Sequence, residues 1–224
     1  GAKFYDEGSG DHPADYEFHA FVKQSEFGRF SPEEQVLIKQ AAVSGPDGYI
    51  ISLKHFSGEL FDKLLQYKIY DFLPWETESP IMLDKWKEFI DAVKPNERYV
   101  FNCVLLQNPM CETMMRFGFD TQKSSEYINS ICEIIRPLDP FIVYLHNNNI
   151  RDSIEKTVSE RGTDWLNGVI DYHCSGAYGK AEHLTGFDGY IKALEERQRR
   201  ETEILRGLNV KYMIINDPDE NWNK

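Results

Sequence analysis

The stretch FIVYLHNNNIRDSIEKTVSERG, residues 141–162, passes from an apolar run through polar residues into a segment with helical periodicity. An apolar run without alternation is typical of a parallel strand that helices cover on both faces. Asparagine caps helices well, so a residue among 147–149 is expected to begin the helix. The stretch therefore predicts a strand that leads directly into a helix, which is the repeating step of an α/β fold.

The same two patterns recur along the chain. Short apolar runs predict strands at AKFY (2–5), YVFNCVLL (99–106) and YMII (212–215). Helical spacing predicts helices over residues 31–43, 57–67, 79–93, 124–137 and about 186–208, the first of them with a capping box formed by Ser31 and Glu34. The charged middle of the last helix, EERQRRETE (195–203), is expected to face water. This order predicts an α/β protein whose mainly parallel strands form a doubly wound sheet in three layers.

Length and composition limit the possible functions. The 224 residues suit a single α/β domain, and the net charge of −12 argues against a nucleic-acid partner, because binding to phosphate backbones needs clustered cations. No apolar run reaches the roughly 18 residues of a membrane helix, so no membrane partner is expected. The four cysteines show neither C-x-x-C pairing nor a compact framework, which is typical of reduced thiols in a cytoplasmic protein. No metal site is predicted.

Ligands of doubly wound folds bind beyond the carboxyl ends of the strands. The segment DEGSGDHPADYE (6–17) follows the first predicted strand, and its carboxylates could accept hydrogen bonds from a hydroxyl group or hold Mg²⁺ through water. Two amide side chains follow the strand predicted at 99–106. The candidate substrate-binding residues are Glu7, Asp11, His12, Asp15, Gln107 and Asn108. The alternative for both segments is an ordinary solvated turn.

The helix after residue 149 carries cations where they are unexpected. Arg151 lies in the first turn, where the helix dipole disfavours a cation by about 0.3–1 kcal/mol. A bound anion would explain it, because helix amino ends and arginines both suit phosphate oxygens. The alternative is a pair of surface contacts, Arg151 with Glu155 and Lys156 with Glu160.

Familiar catalytic motifs are missing from the sequence. CSGAYGKAE (174–182) contains G-x-x-G-K but lacks the first glycine and the Ser or Thr of a phosphate-binding loop. The sequence has no G-x-S-x-G motif and no G-x-G-x-x-G motif after a strand. It therefore contains no local motif that indicates a serine hydrolase or a dinucleotide-dependent oxidoreductase.

Several longer stretches carry a resemblance. GSGDHPADYE (8–17), FNCVLLQNP (101–109), residues 141–162 and YMIINDPDENW (212–222) resemble a group of largely uncharacterised bacterial P-loop proteins allied to nucleoside and nucleotide kinases. The resemblance covers nearly the whole chain and implies a P-loop NTPase-like fold whose first strand and Walker A loop would precede residue 1. It further implies phosphoryl transfer from ATP, with Mg²⁺, to a small hydroxylated molecule when the protein is intact, and no activity in a chain that lacks those first elements.

The same resemblance assigns roles to residues. Arg151, Lys156 and Arg161 would be the catalytic cations of a lid at about residues 146–185, and the loop over residues 11–15 would meet the phosphate acceptor. Asn102 stands where such kinases usually carry an acidic residue, which leaves open a non-catalytic module that binds a nucleotide or phosphometabolite. A weaker alternative is an α/β hydrolase that uses Asp11, His12 and Asp15.

Overall fold

The computed structural model describes residues 1–8, 10–45 and 47–217. Its chain divides into two compact units, Gly1–Asn102 and Cys103–Lys224. Both units combine helices with small sheets, so the protein is of the mixed α/β class that the sequence predicts. The three-layer doubly wound sheet and the single domain stay predictions. Residue 9 and residues 218–222 of the resembling stretches lie outside the described residues.

The first unit contains two small sheets. Strand β1 (Lys3–Tyr5) pairs in parallel with β5 (Tyr99–Phe101). Strands β2 (His19–Lys23), β3 (Ala42–Ser44) and β4 (Gly48–Ser52) form an antiparallel sheet in the order β2-β4-β3. This second sheet is not predictable from the sequence pattern, because its strands are short and only GYIIS has a clear concentration of β-branched residues.

The helices of the first unit are α1 (Pro32–Ala41), α2 (Gly58–Leu65), α3 (Ile69–Phe72) and α4 (Trp75–Ala92), and α3 is a short element that kinks at Asp71. The predicted capping box of α1 is confirmed, since Ser31 Oγ accepts from the Glu34 N–H and the Glu34 carboxylate accepts from the Ser31 N–H. The predicted start of the next long helix at residue 79 is wrong. Helix α4 begins at Trp75, so Pro80 lies inside it and contributes no backbone donor.

The second unit is mostly helical. Its helices are α5 (Gln107–Met110), α6 (Thr121–Ile135), α7 (Ile150–Arg161), α8 (Thr163–Cys174), α9 (Ala177–Ala181) and α10 (Gly186–Gly207). A π-helical segment, Cys111–Arg116, directly follows α5. Strands β6 (Phe141–His146) and β7 (Lys211–Asn216) pair in parallel. Helix α6 buries Ile128, Ile131, Cys132 and Ile135, the face that its periodicity predicts.

The strand predicted at 99–106 is too long. Strand β5 ends at Phe101, and Cys103 has a φ of 58°, a left-handed conformation that an extended strand cannot contain. Val104 and Leu106 are buried, so these apolar residues supply core side chains rather than a strand. Short apolar runs cannot be assigned to strand or helix by periodicity alone.

The charged middle of α10 does not face water throughout, contrary to the sequence prediction. Glu201 is 5% exposed and accepts a 2.7 Å hydrogen bond from the Tyr144 hydroxyl. Arg197 lies 3.2 Å from Glu201 and donates to the Cys111 sulfur at 3.5 Å. A buried charge is tolerated when it is paired and hydrogen-bonded, as it is here.

The β6–β7 pair has one packed face and one open face. Ile142 and Tyr144 belong to a buried cluster with Met110, Ile128 and Leu205. Their neighbours on the strand, Phe141, Val143 and Leu145, are at least half exposed. The expectation that helices cover both faces is therefore not met within the part of the chain that the structure describes. In that same part, no helix combines the length and apolar character needed to cross a membrane.

Candidate functional site

The candidate site in the first unit begins where two parallel strands end. Asp6 is the first residue after β1, and Asn102 is the first residue after β5. The Asn102 side-chain amide donates to Asp6 Oδ1 at 2.8 Å, and the Glu7 backbone N–H donates to the same oxygen at 2.9 Å. No described residue donates to Asp6 Oδ2. The hydrogen bonds to Oδ1 fix the orientation of the Asp6 carboxylate, and Oδ2 is available to a ligand. This oxygen lies at the sheet edge where α/β folds bind ligands.

The loop after β1 is held by hydrogen bonds between a backbone N–H and a side-chain carboxylate of the loop itself. The Gly8 N–H donates to both carboxylate oxygens of Glu17, at 2.9 and 2.7 Å. Gly8 has a φ of 74°, a conformation that glycine adopts without strain. Glu7 and Asp11, two of the predicted substrate-binding residues, are exposed on this loop. The loop thus presents free acidic groups on a backbone with defined anchors.

His12 lies against the ends of both strands. Its ring centroid is 5.6 Å from that of Tyr5 and 4.4 Å from that of Phe101. The His12 Nδ1 accepts a 3.2 Å hydrogen bond from the Ala14 N–H, while Nε2 is buried and has no hydrogen-bond partner among the described residues. Burial lowers the pKa of His12 to about 4, so the imidazole is neutral near neutral pH. Because Nδ1 accepts a hydrogen bond, the neutral imidazole carries its proton on Nε2, which can donate to a ligand.

Asp15 is a structural member of the loop. It is 2% exposed, and its Oδ1 accepts hydrogen bonds from the Tyr70 hydroxyl at 2.6 Å and from the Tyr16 N–H at 2.7 Å. These contacts connect the loop to α3. Buried carboxylates with such partners stay in place because the hydrogen bonds offset their desolvation. Of the predicted acidic residues, Asp15 therefore has the least freedom to reorient toward a ligand.

Gln107 and Asn108 belong to the second unit and do not follow a strand. Both are half-buried in α5, and the Asn108 N–H donates to the Cys103 carbonyl at 3.1 Å. Their predicted position at a strand end is wrong because β5 ends at Phe101. Their role in substrate binding stays a prediction.

The step from β6 to α7 is as the sequence predicts. Asn149 caps α7, its side chain accepting from the Asp152 N–H at 3.2 Å. The Arg151 guanidinium lies 2.5 Å from Asp188 at the start of α10 and 4.0 Å from Glu155. The hydrogen bond to Asp188 raises the pKa of Arg151. The carboxylate of Asp188 therefore occupies one side of a cation that the lid hypothesis assigns to phosphate.

Lys156 and Arg161, the two other cations of the predicted lid, are exposed. Lys156 is exposed and forms no ion pair within the described ranges, so the pair with Glu160 that its spacing allows is not made there. Arg161 is exposed and lies over the Trp165 ring, 5.5 Å from its centroid. Helices α7 and α8 pack against α10 through Ile150, Ile154, Leu166, Val169 and Ile170. The candidate lid is thus a packed helical pair with exposed cations.

Sequence reasoning left Asn102 out of the ligand-binding set and gave Asp6 no special place within its loop. The rule that ligands bind beyond strand ends could have found both, since each directly follows a parallel strand. The rule did not identify Asn102, because the strand predicted at 99–106 placed this residue inside the strand. Asp6 lay within the identified loop, but nothing in the sequence distinguished it from the other acidic residues there.

Comparison with known proteins adds no relative. No family model, no curated protein and no solved structure matches the chain. The function must therefore be argued from the chain's own residues.

Proposed function

We propose that this chain carries the acceptor-binding loop and the lid of a P-loop kinase-like phosphotransferase that acts on a small hydroxylated molecule. The observation that carries the proposal is the group formed by Asp6, Asn102 and His12 at the carboxyl ends of β1 and β5. A carboxylate that accepts a proton or a hydrogen bond from an acceptor hydroxyl is what phosphoryl transfer to an alcohol requires.

The acceptor site has the chemistry to orient a hydroxyl group. Asp6 Oδ1 is held by Asn102, which leaves Oδ2 for a ligand. Glu7 and Asp11 supply further exposed carboxylates, which can accept hydrogen bonds from neighbouring hydroxyls of a sugar or polyol. In this proposal His12 borders the site and Asp15 holds the loop in place.

The second unit carries cations of the kind that phosphoryl transfer requires. Phosphoryl transfer is catalysed mainly by positioning and by neutralising negative charge on the transferred group. Lys156 and Arg161 are exposed cations on a helix that follows directly from a parallel strand. Arg151 becomes available to phosphate when its ion pair with Asp188 breaks. A phosphate could replace the Asp188 carboxylate in this pair, because both are anions.

Open strand edges and faces support a P-loop-like arrangement in three layers. Within its own unit β5 pairs on one side only, with β1, and β6 likewise pairs only with β7 among the described strands. Phe4 and Val100 in one pair, and Phe141 and Val143 in the other, are exposed on apolar faces. Parallel strands normally lie within larger sheets with both faces covered. A larger sheet with helices on both faces, as in a three-layer P-loop-like fold, would pair these edges and cover these faces.

The nucleotide contacts are only partly assigned. The sequence contains no Walker A match, so the cradle for the β- and γ-phosphates is not attributed to any residue of this chain. The carboxylates of Asp6 and Glu7 suit the oxygen preference of Mg²⁺, which would neutralise phosphate charge when bound.

Ligand binding tests the acceptor half with the chain as it is. A panel of nucleosides and polyols is screened by ligand-observed NMR against the wild type, Asp6→Asn and the control Asp84→Asn, whose residue forms an exposed pair with Lys87 on α4. We expect at least one panel member to bind the wild type and the control, and to bind Asp6→Asn several-fold more weakly. Equal binding by all three proteins, or no binding by the wild type, would count against the acceptor site.

A second candidate is a non-catalytic module that binds a nucleotide or phosphometabolite. Asn102 favours it, because its amide donates to Asp6 where an acidic residue could have bound a metal ion. This module would bind ligands at the same groups without turnover. An assay for transferred phosphate separates it from the phosphotransferase.

A further inference from the structure

The first unit contains a groove of about 710 Å³ that shares no residue with the candidate site. Residues from β2, from α2 and α3 and from the start of α4 line it. Its volume lies within the range of about 300–1,000 Å³ that is usual for small-molecule sites. The groove is therefore large enough for a ligand of one or two rings.

The floor and walls of the groove are aromatic. Phe21 and Phe30 are buried at its base, and Leu73 is buried beside them. Tyr67 is half-buried, and Phe72 is 47% exposed. An exposed phenylalanine beside a concave aromatic surface can stack on a ligand ring and so add to the affinity that burial of apolar area supplies.

The rim of the groove is cationic in a chain that is strongly acidic overall. Lys23, Arg29 and Lys63 line it, although the whole chain has a net charge of −12. Arg29 pairs with Glu26 at 3.1 Å, and Lys63 pairs with Glu34 at 2.6 Å. Lys23 is exposed and has no ion pair within residues 1–8, 10–45 and 47–217. Of the acids in these pairs only Glu26 lines the groove, so the lining carries an excess of positive charge.

We propose that this groove is a binding site for a small aromatic anion, whose ring lies against Phe72 and Tyr67 and whose charge faces Lys23 and Arg29. Apolar surface supplies affinity and the few charged groups at the rim fix orientation, as in ligand sites generally. Hydroxyl groups of Ser25 and Thr77 in the lining can accept or donate further hydrogen bonds. The proposal is independent of phosphoryl transfer.

The test is a calorimetric titration of the whole chain with 2-naphthoate. The wild type should bind one equivalent saturably, and 2-naphthylmethanol, which lacks the charge, should bind more weakly. Inorganic sulfate, which lacks the ring, should also bind more weakly. Raising the salt concentration should weaken naphthoate binding, because the attraction between exposed charges is screened.

Three variants locate the binding. Lys23→Gln should weaken naphthoate binding about 2- to 5-fold, the effect of one exposed ion pair. Phe72→Ala should weaken it about 2- to 10-fold through loss of stacking. Lys87→Gln removes the same charge from an exposed position outside the groove and should bind as the wild type does.

Two results would overturn the site. One is the absence of saturable naphthoate binding at millimolar concentration. The other is binding that Lys23→Gln and Phe72→Ala leave unchanged while both variants unfold like the wild type. Equal affinity for 2-naphthoate and 2-naphthylmethanol would refute the part of the proposal that concerns charge.

Discussion

The Asn102 side-chain amide donates a 2.8 Å hydrogen bond to Asp6 Oδ1, and thereby joins the carboxyl ends of two parallel strands. Asn102 also donates its backbone N–H to the Tyr5 carbonyl at 3.1 Å, so both of its donors face β1. The amide fixes the orientation of the Asp6 carboxylate without neutralising its charge. An acidic residue in place of Asn102 would instead bring two negative charges together.

Asn102→Asp should make the stability of the first unit depend on Mg²⁺. Two adjacent carboxylates repel each other, so the pKa of one of them rises in the folded protein, and stability is lost as the pH rises from the unfolded chain's carboxyl pKa through that raised pKa. Mg²⁺ at millimolar concentration should recover the loss, because paired carboxylates bind it. Thermal unfolding at neutral pH, with Mg²⁺ or with EDTA, measures the effect.

The matched control is Asn102→Ser, which removes the amide without adding a charge. Its unfolding should respond to Mg²⁺ no more than that of the wild type does. If Asn102→Asp responds to neither Mg²⁺ nor pH, the two side chains are not close in solution.

Tyr70→Phe should destabilise the loop that carries the acidic residues. The variant removes the hydroxyl that donates to the buried Asp15 at 2.6 Å. Weakening the hydrogen bonding of a buried carboxylate costs about 1–3 kcal/mol, which urea unfolding can resolve. Tyr49→Phe is the control, since no described residue hydrogen-bonds its hydroxyl, and it should change the free energy of unfolding by less than about 0.5 kcal/mol. Equal effects of the two substitutions would contradict the structural role of Asp15.

The protein should lose stability on mild acidification. Burial lowers the pKa of His12, His19 and His173 to about 4, below the ordinary value of 6.5. Between those two values the unfolded chain binds more protons than the folded chain, so stability is complete above about pH 6.5 and is lost as the pH falls toward 4. For the buried His12 the loss by pH 5 is at most about 2 kcal/mol.

Urea unfolding at a series of pH values tests this dependence. His12→Gln should make the decline between pH 6.5 and 4 shallower, because the substituted side chain does not titrate. An unchanged slope would mean that His12 is protonated as readily in the folded protein as in the unfolded chain.

Arg197→Met should be strongly destabilising, although it adds apolar surface. It leaves Glu201, whose pKa burial already raises, without its cation. Breaking a buried pair in this way costs about 3–5 kcal/mol, whereas replacing both partners by apolar residues is often close to neutral. Urea unfolding should therefore give a lower free energy of unfolding for Arg197→Met than for the double variant Arg197→Met/Glu201→Leu. Arg199→Met is the control on the exposed side of α10, and a loss as large as that of Arg197→Met would refute the argument.

Local signals predicted the elements well where chemistry and periodicity agreed. The capping box at Ser31, the Asn149 cap and the buried face of α6 were all predictable from short-range patterns. Predictions failed where tertiary contacts decided the outcome. The strand at 99–106 ends early because of the left-handed Cys103. Helix α10 buries Arg197 and Glu201 because Cys111 and Tyr144, which belong to other elements, supply their polar partners.

The position of the candidate site was predictable from local patterns, whereas the burial of its residues was not. The loop of residues 6–17 was identified from its position after a strand, and the structure brings His12 back to that strand end. The separation of Asp15, which is buried and hydrogen-bonded, from the exposed Glu7 and Asp11 could not be read from the sequence. All three are acidic residues in one loop, and only the packing against Tyr70 distinguishes them.

The most direct test of the proposed phosphotransferase is an assay for phosphate transfer from ATP by the natural gene product, with the acceptor that the binding screen identifies. Mass spectrometry detects the phosphorylated acceptor. We predict a product that carries one added phosphate, strongly reduced formation with Asp6→Asn and with Arg161→Ala, and unchanged formation with Asp84→Asn. A folded natural protein that binds the acceptor and ATP yet forms no phosphorylated product would contradict the proposal and favour the non-catalytic module.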